Sequence, residues 1–439
     1  MNDSNSNLIY QSATALAQAI QRREYSAREV VQAHLDRIAA VNPALNAVVH
    51  WMQKMPRTGR CRGQGVGSSR KLGSPARGAV HGQDWIETAG VICAAGYPER
   101  SRYVPTEDAT VVARLRAAGG IFLGKTNVTV SNPVYGRTNN PYNLAYSPAG
   151  SSSGEAALIA AGGSPFGIGS DSGGSIRQPA HNCGIAGLKP STGRVPLTGH
   201  FPRINPLADP RTVIGPMARY VEDLGLVLPI IAGPDWRDSS TVPVPLVNWR
   251  AVDPKGLRVA FYTHHHLADP DPACFAAVHA AAAGLAAAGL QVEAALPPRM
   301  EEVYDITRDY WRRPESESWD EWRADGEVVL SSLAVEQHLF AWDRFRRSLL
   351  SFMAQYDLVL TPAAELPARP HGEPDGSIAY TLTYSLTGYP CVVVRAGTSD
   401  DGMPVGVQVV ARPWRDDVAL AAAQIIEAAG GGWRQPPAL

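Results

Sequence analysis

A chain of 439 residues, 45% apolar and 18% charged, has the make-up of a globular enzyme with a large core. Its formal net charge of −1 gives no electrostatic footprint for nucleic acid or for an acidic membrane surface. No window approaches a membrane span, MNDSNSNL is not a signal peptide, and Cys61, Cys93, Cys183, Cys274 and Cys391 read as scattered reduced thiols of a cytoplasmic protein.

The elements follow in chain order. Ser26 and Glu29 form a capping box that opens a helix, with Val31, Leu35 and Ile38 on one face. The stretch from Met52 to Gln83 has no helical periodicity. ATVVARLRAAGG predicts a short helix ended by glycine, and IFLGKT a strand after it. From Ser147 to Pro190, two Ser/Gly-rich loops flank an Ala-rich segment. Glycine at that density lets the backbone come close to a ligand, and a serine hydroxyl among free N–H groups suggests a nucleophile beside an oxyanion hole. LRVAFY, a helix over 273–288 and LQVEAAL predict a strand–helix–strand unit. Residues 297–350, rich in Trp, Arg and Glu, read as helices covering a site. LVLTPA, CVVVRAG and VGVQVVA read as strands buried on both faces, and RDDVALAAAQIIEAAGG as a closing helix with acids in its first turn. No internal repeat is present.

The block SPAGSSSGEAALIAAGGSPFGIGSDSGGSIRQPAHNCGIAGLKP resembles the signature of the amidase signature family, serine hydrolases with a Ser–Ser–Lys triad. Its spelling is closest to the fatty-acid amide hydrolase branch. DWIETAG, LGKTN, NPVYGRTNNPYNL, VIGPMARYVEDL, YDLVLTPA, LTGYP and GMPVGVQVVARP follow in family order. The resemblance implies one α/β domain over residues 1–439, a twisted mixed β-sheet covered by helices. It implies hydrolysis of a carboxylic amide to acid plus ammonia or amine, with no metal or organic cofactor. Ser175 takes the place of the nucleophile, and Ser151, on an unusual cis peptide, that of a relay serine. The N–H groups of Ser172, Gly173, Gly174 and Ser175 take the place of the oxyanion hole. The partner implied is a small-molecule amide, with neither nucleic acid nor membrane, and a homodimer is a common arrangement in the family.

The chain departs from the family at the third member of the triad. The family segment HGVPFTVKDWIETAG corresponds here to ARGAVHGQDWIETAG, which puts Gln83 where the lysine belongs. An amide cannot take up a proton as a neutral lysine does. The whole stretch 52–83 keeps the expected length and loses the expected content, which suggests a shifted reading frame. One permitted codon choice for Ser74–Gln83, read one base later, spells Arg-Leu-His-Gly-Val-Pro-Phe-Thr-Val-Lys. Two further departures are a short TNVTVSNPVYG segment beside the expected acyl pocket, and Ser153 in place of a glycine, a strain if that position needs positive φ.

Other readings of the same residues stand beside these. SDSGG would make Ser172 a protease nucleophile, but in an all-β fold that this chain does not suggest. GSSSG matches a nucleophile elbow at Ser152, but no strand precedes it. SSRK at 68–71 is a weak S-x-x-K match. Asp171 and Arg177 read as a structural ion pair, and His264, His265 and His266 as surface histidines, not a metal cluster. For the whole chain, the amidase subunit of a tRNA-dependent amidotransferase and a non-catalytic amidase fold lacking its lysine are the alternatives.

Overall fold

Val-, Ile- and Leu-rich runs punctuated by glycine and proline form the strands, and the alanine-rich segments between them form most of the helices. A computed structural model describes residues 8–52, 78–202, 210–307, 330–437 and 439. Cys61, the SSRK match, most of the 52–83 stretch and part of the 297–350 segment lie outside the described residues.

The N-terminal part contributes helices α1 (Ala13–Gln21) and α2 (Ala27–Leu45), strand β1 (Val48–Trp51) and strand β2 (Ala79–Gln83). Ser26 caps α2 as expected: its N–H donates to Glu29 Oε2 at 2.7 Å, and Glu29 N–H donates back to Ser26 Oγ at 3.2 Å. Helix α3 (Thr110–Ala117), strand β3 (Ile121–Thr126) and a small hairpin of β4 (Ser131–Asn132) and β5 (Gly136–Arg137) come next. The serine-rich block folds as α4 (Ser153–Ala160), β6 (Phe166–Asp171), α5 (Arg177–Asn182) and β7 (Ala186–Lys189). Then come β8 (Val213–Ala218), α6 (Val221–Ile231), β9 (Arg258–Phe261), α7 (Pro272–Ala287), β10 (Gln291–Ala294) and α8 (Val303–Thr307). The C-terminal part is α9 (Ser332–Met353), β11 (Leu358–Pro362), α10 (Ala379–Thr387), β12 (Cys391–Thr398), β13 (Pro404–Ala411) and α11 (Asp416–Ala428).

Among the described residues, eleven strands form one mixed sheet in the order β1-β3-β2-β6-β8-β7-β12-β13-β11-β9-β10. The expected strand–helix–strand unit is there: β9 and β10 pair in parallel around α7. The buried runs at β11, β12 and β13 are strands too; they pair antiparallel with one another, and β11 pairs in parallel with β9 on its other side. Helices on both faces bury them, so continuous apolar runs here report two-sided cover and not strand direction. One apolar core joins the sheet to α3, α6, α7 and α11, and a second joins it to α2, α4 and α5. The chain is therefore a single α/β domain, a large mixed sheet covered by helices.

Two features of this packing place the site. Parallel neighbours β2 and β6 end side by side, with Gly82 opposite Ile168, so Gln83 lies against the last residues of β6. Helix α4 is buried on every side, which its small residues allow. A Cβ at Gly154 would sit 2.5 Å from Ala47 O and from Asn127 N, so only glycine lets α4 dock this closely.

Candidate active site

Two loops meet over the ends of β2 and β6. The first runs into α4, with a cis peptide between Gly150 and Ser151. The second follows β6 and carries Ser175. Ser152 N–H donates to Ser175 C=O at 3.2 Å, and Thr129 N–H to Ser151 C=O at 2.8 Å, so backbone hydrogen bonds hold both serines in register. Ser151 is 7% exposed, whereas Ser175 is only partly buried. Ser175 Oγ makes no hydrogen bond among the described residues.

Gln83 is fully buried between these loops. Its Oε1 accepts from Ser170 N–H at 2.8 Å and from Ser152 Oγ at 3.0 Å, and its Nε2 donates to Ser151 Oγ at 3.1 Å. The orientation of the amide is forced. A backbone N–H can only donate, so the atom facing Ser170 is the oxygen, and the amino group must face Ser151. Ser151 Oγ is thus an acceptor from position 83, and its own hydrogen is free to point elsewhere. The cation nearest along the sheet offers no substitute. Lys125 sends its ammonium to Ile86 C=O and lies 3.7 Å from Asp84 Oδ1.

The second loop is shaped by a buried ion pair, as its sequence suggested. Asp171 accepts from Arg177 Nε at 2.9 Å and from its terminal nitrogen at 2.8 Å. Burial alone would raise this carboxyl, but the Arg177 charge and its hydrogen bonds outweigh burial and hold it below the ordinary value. Asp171 also accepts from Gly174 N–H at 2.8 Å and Ile176 N–H at 3.1 Å. One of the four expected oxyanion donors, Gly174, is therefore turned inward. The N–H groups of Ser172, Gly173 and Ser175 have no acceptor among the described residues. Gly174 has φ +143°, and a Cβ there would lie 2.6 Å from Thr381 Oγ1.

The side chains of the other candidates from the sequence are engaged elsewhere or in support of this centre. Ser152 is fully buried and caps Gln83, and Ser172 Oγ pairs with Thr212 Oγ1 at 2.6 Å. Ser153 begins α4 with ordinary φ, and its hydroxyl bonds Thr129 C=O, so no strain arises there. His264 pairs with Asp269 at 2.7 Å, and His265 is buried against the Tyr380 ring. Among the described residues, no group of three His, Cys, Asp or Glu could hold a metal ion.

The sequence reading missed two contributors. Thr381 of α10 donates from Oγ1 to Gly173 C=O at 2.6 Å, a contact across 208 positions that no local pattern announces. Glu155, on α4, is fully buried. Its Oε2 accepts from Thr126 Oγ1 at 2.7 Å while Oε1 has no partner, and burial pushes its carboxyl up to about 8. The alanine-rich segment around it gave no sign that its carboxyl is buried.

The amidase family model matches residues 29–312 and 309–420. An acylamidase of Rhodococcus erythropolis is 32% identical, over 96% of each chain. Fatty-acid amide hydrolase 2-B of Danio rerio is also 32% identical, over 98% of this chain and 91% of its own. A glutamyl-tRNA(Gln) amidotransferase subunit of Roseiflexus sp. (strain RS-1) is 33% identical, over 92% of this chain and 93% of its own. A solved 6-aminohexanoate cyclic dimer hydrolase superimposes with a TM-score of 0.81 at 26% identity, covering 98% and 99% of the two chains. Likeness of this extent, in sequence and in fold alike, shows that the chain belongs to the amidase signature family.

Proposed function

We propose that this chain is built as a serine amidohydrolase, cleaving R–CO–NH–R′ with water to an acid and ammonia or an amine, and that Gln83 stops its proton relay. In this reading Ser175 Oγ attacks the carbonyl carbon. The N–H groups of Ser172, Gly173 and Ser175 stabilise the oxyanion, while Gly174 serves the loop through Asp171. Ser151 takes the Ser175 proton and must pass one on to position 83. Water then releases the acyl group from Ser175. No cofactor is called for in this sequence of steps.

One observation carries the reading: Gln83 Nε2 lies 3.1 Å from Ser151 Oγ, with Oε1 capped by Ser170 N–H. The seat of a base is occupied by an amide that can donate a hydrogen bond to Ser151 but never accept its proton. General-base catalysis is worth about 10²–10⁴-fold, and that is the expected deficit. The same observation favours a second reading, an amidase fold that binds a carbonyl compound without turnover. Relatives at comparable identity include both hydrolases and a component of an amidotransferase, and co-purification with a partner protein would support that role for this chain.

Labelling by a fluorophosphonate separates the two main readings. The parent chain is expected to label slowly at Ser175, Gln83→Lys about 10²-fold faster or more, and Ser175→Ala not at all. A well-folded Gln83→Lys chain that labels no faster than the parent would sink the hydrolase reading.

A further inference from the structure

Helix α9 has two sides that differ in what covers them. Trp342, Phe345, Leu349 and Met353 are buried against the body, and Trp342 Nε1 donates to Leu386 C=O at 2.7 Å, which fixes the helix about its axis. On the other side Leu333, Phe340 and Leu350 are 66%, 64% and 54% exposed. With Glu336, Asp343 and Arg347, all exposed, they form one line from 333 to 350 at alternating steps of three and four residues. That alternation is the seam along which two helices pair, and large apolar groups belong on it when a partner covers them. Single apolar residues scattered on a surface need no explanation, but three on one such line do.

The charges on the seam select its partner. Arg347 Nε donates to Asp343 Oδ2 at 2.8 Å, and its two terminal nitrogens have no acceptor among the described residues. Glu336 takes part in no ion pair among the described residues. A parallel copy of the helix would set Glu336 against Glu336 and Arg347 against Arg347, and an acidic membrane surface would meet both carboxylates of the line. An antiparallel copy reverses the order. The spacing of the six residues reads the same in both directions, so with Leu333 opposite Leu350, Glu336 falls opposite Arg347 and Phe340 opposite Asp343. Every opposite pair is then apolar, oppositely charged, or a ring beside a carboxylate already held by arginine.

We propose that α9 pairs antiparallel with α9 of a second copy of this chain, about a two-fold axis that passes between residues 341 and 342. Leu333 and Leu350 close each end of the seam, Glu336 of one copy meets Arg347 of the other on both sides of the axis, and the two Phe340 rings meet at the centre. The same patch serves both copies, so the assembly closes at two. The seam lies away from the buried stripe of Trp342, Phe345 and Leu349, so the two bodies flank the helix pair without entering it. One helix pair is a small interface, and association in the micromolar range is expected. The pairing does not depend on chemistry at Ser175.

The test is sedimentation velocity of the full-length chain over a concentration series. A reversible monomer–dimer equilibrium is expected, weakened about ten-fold or more in Phe340→Asp. E336R and R347E should each weaken it about five-fold, because each sets like charges face to face twice across the axis. The double reversal E336R/R347E should return it to within about three-fold of the parent, since it restores both pairs with their signs exchanged. All the substituted side chains face solvent in one copy, and melting temperatures establish that each variant is folded. A chain that stays monomeric throughout the series, a dimer indifferent to Phe340→Asp, or a double reversal no better than the single ones would overturn the proposal. So would a monomer that floats with phosphatidylglycerol vesicles through Phe340, which would give this face to a membrane.

Discussion

On the function proposed here, the side chain at position 83 decides whether the proton relay can run. Its surroundings suit an amide, with Ser170 N–H and Ser152 Oγ on the oxygen side and Ser151 Oγ on the nitrogen side. Glu155, on the helix that follows Ser151, carries the residue-scale pH prediction. Its carboxyl is raised from 4.5 to about 8 because burial disfavours the charged form. Between those two values the folded chain holds a proton that the unfolded chain has lost. Stability from this group is therefore complete at low pH, falls as pH rises through about 4.5 to 8, and levels off above. Glu155→Gln keeps an acceptor for Thr126 and cannot ionise. It is expected to match the parent near pH 5 and exceed it at pH 8 by about 1–3 kcal/mol. Melting curves of both chains across that range check this, and taking the difference between them removes the contribution of the histidines.

At the scale of one element, β2 carries two poorly fitted positions, His81 and Gly82. His81 is fully buried with both ring nitrogens unpartnered, and burial pushes it down to about 3. A Cβ at Gly82 would meet only Phe122, at 3.7 Å, so a larger side chain has room there. These are the marks expected if the surrounding fold was shaped for HGVPFTVK, with threonine, valine and lysine at these three positions. We therefore propose that residues 52–83 derive from a shifted reading frame. The triple variant His81→Thr, Gly82→Val, Gln83→Lys is expected to melt higher than the parent by about 2 kcal/mol of stability, because it removes unpaired polar atoms and fills space. It should also label at Ser175 faster than Gln83→Lys alone. A triple variant less stable than the parent would count against the shifted frame, and the gene's nucleotide sequence across codons 45–90 would settle it independently.

At the scale of the whole molecule, Arg177 joins parts of the chain that are far apart in sequence. Its guanidinium reaches Asp171 in its own loop, Thr381 C=O and Ser385 Oγ on α10, and Gln408 Oε1 on β13. Removing one partner of a buried ion pair leaves the other charge uncompensated. Arg177→Met is expected to lose about 3–5 kcal/mol of stability and to abolish labelling at Ser175. Chemical denaturation and the labelling assay read the two effects, and a variant of unchanged stability would show that the pair is dispensable.

What the sequence by itself determined is local. The capping box at Ser26, the helix expected over 273–288 and found as Pro272–Ala287, and the apolar runs of β11 to β13 depend on neighbours a few residues away. Spacing and composition therefore carry them. The serine-rich block was legible for the same reason, because its glycines and hydroxyls lie within one stretch, and the substitution at position 83 could be located by counting back from DWIETAG. Only the tertiary structure decided the rest. The antiparallel order at the C-terminal side of the sheet, the inward turn of Gly174 N–H, the grip of Thr381 on Gly173 and the forced orientation of the Gln83 amide depend on partners up to about 200 residues apart. Long-range register selects such partners, and no short window of sequence contains that information.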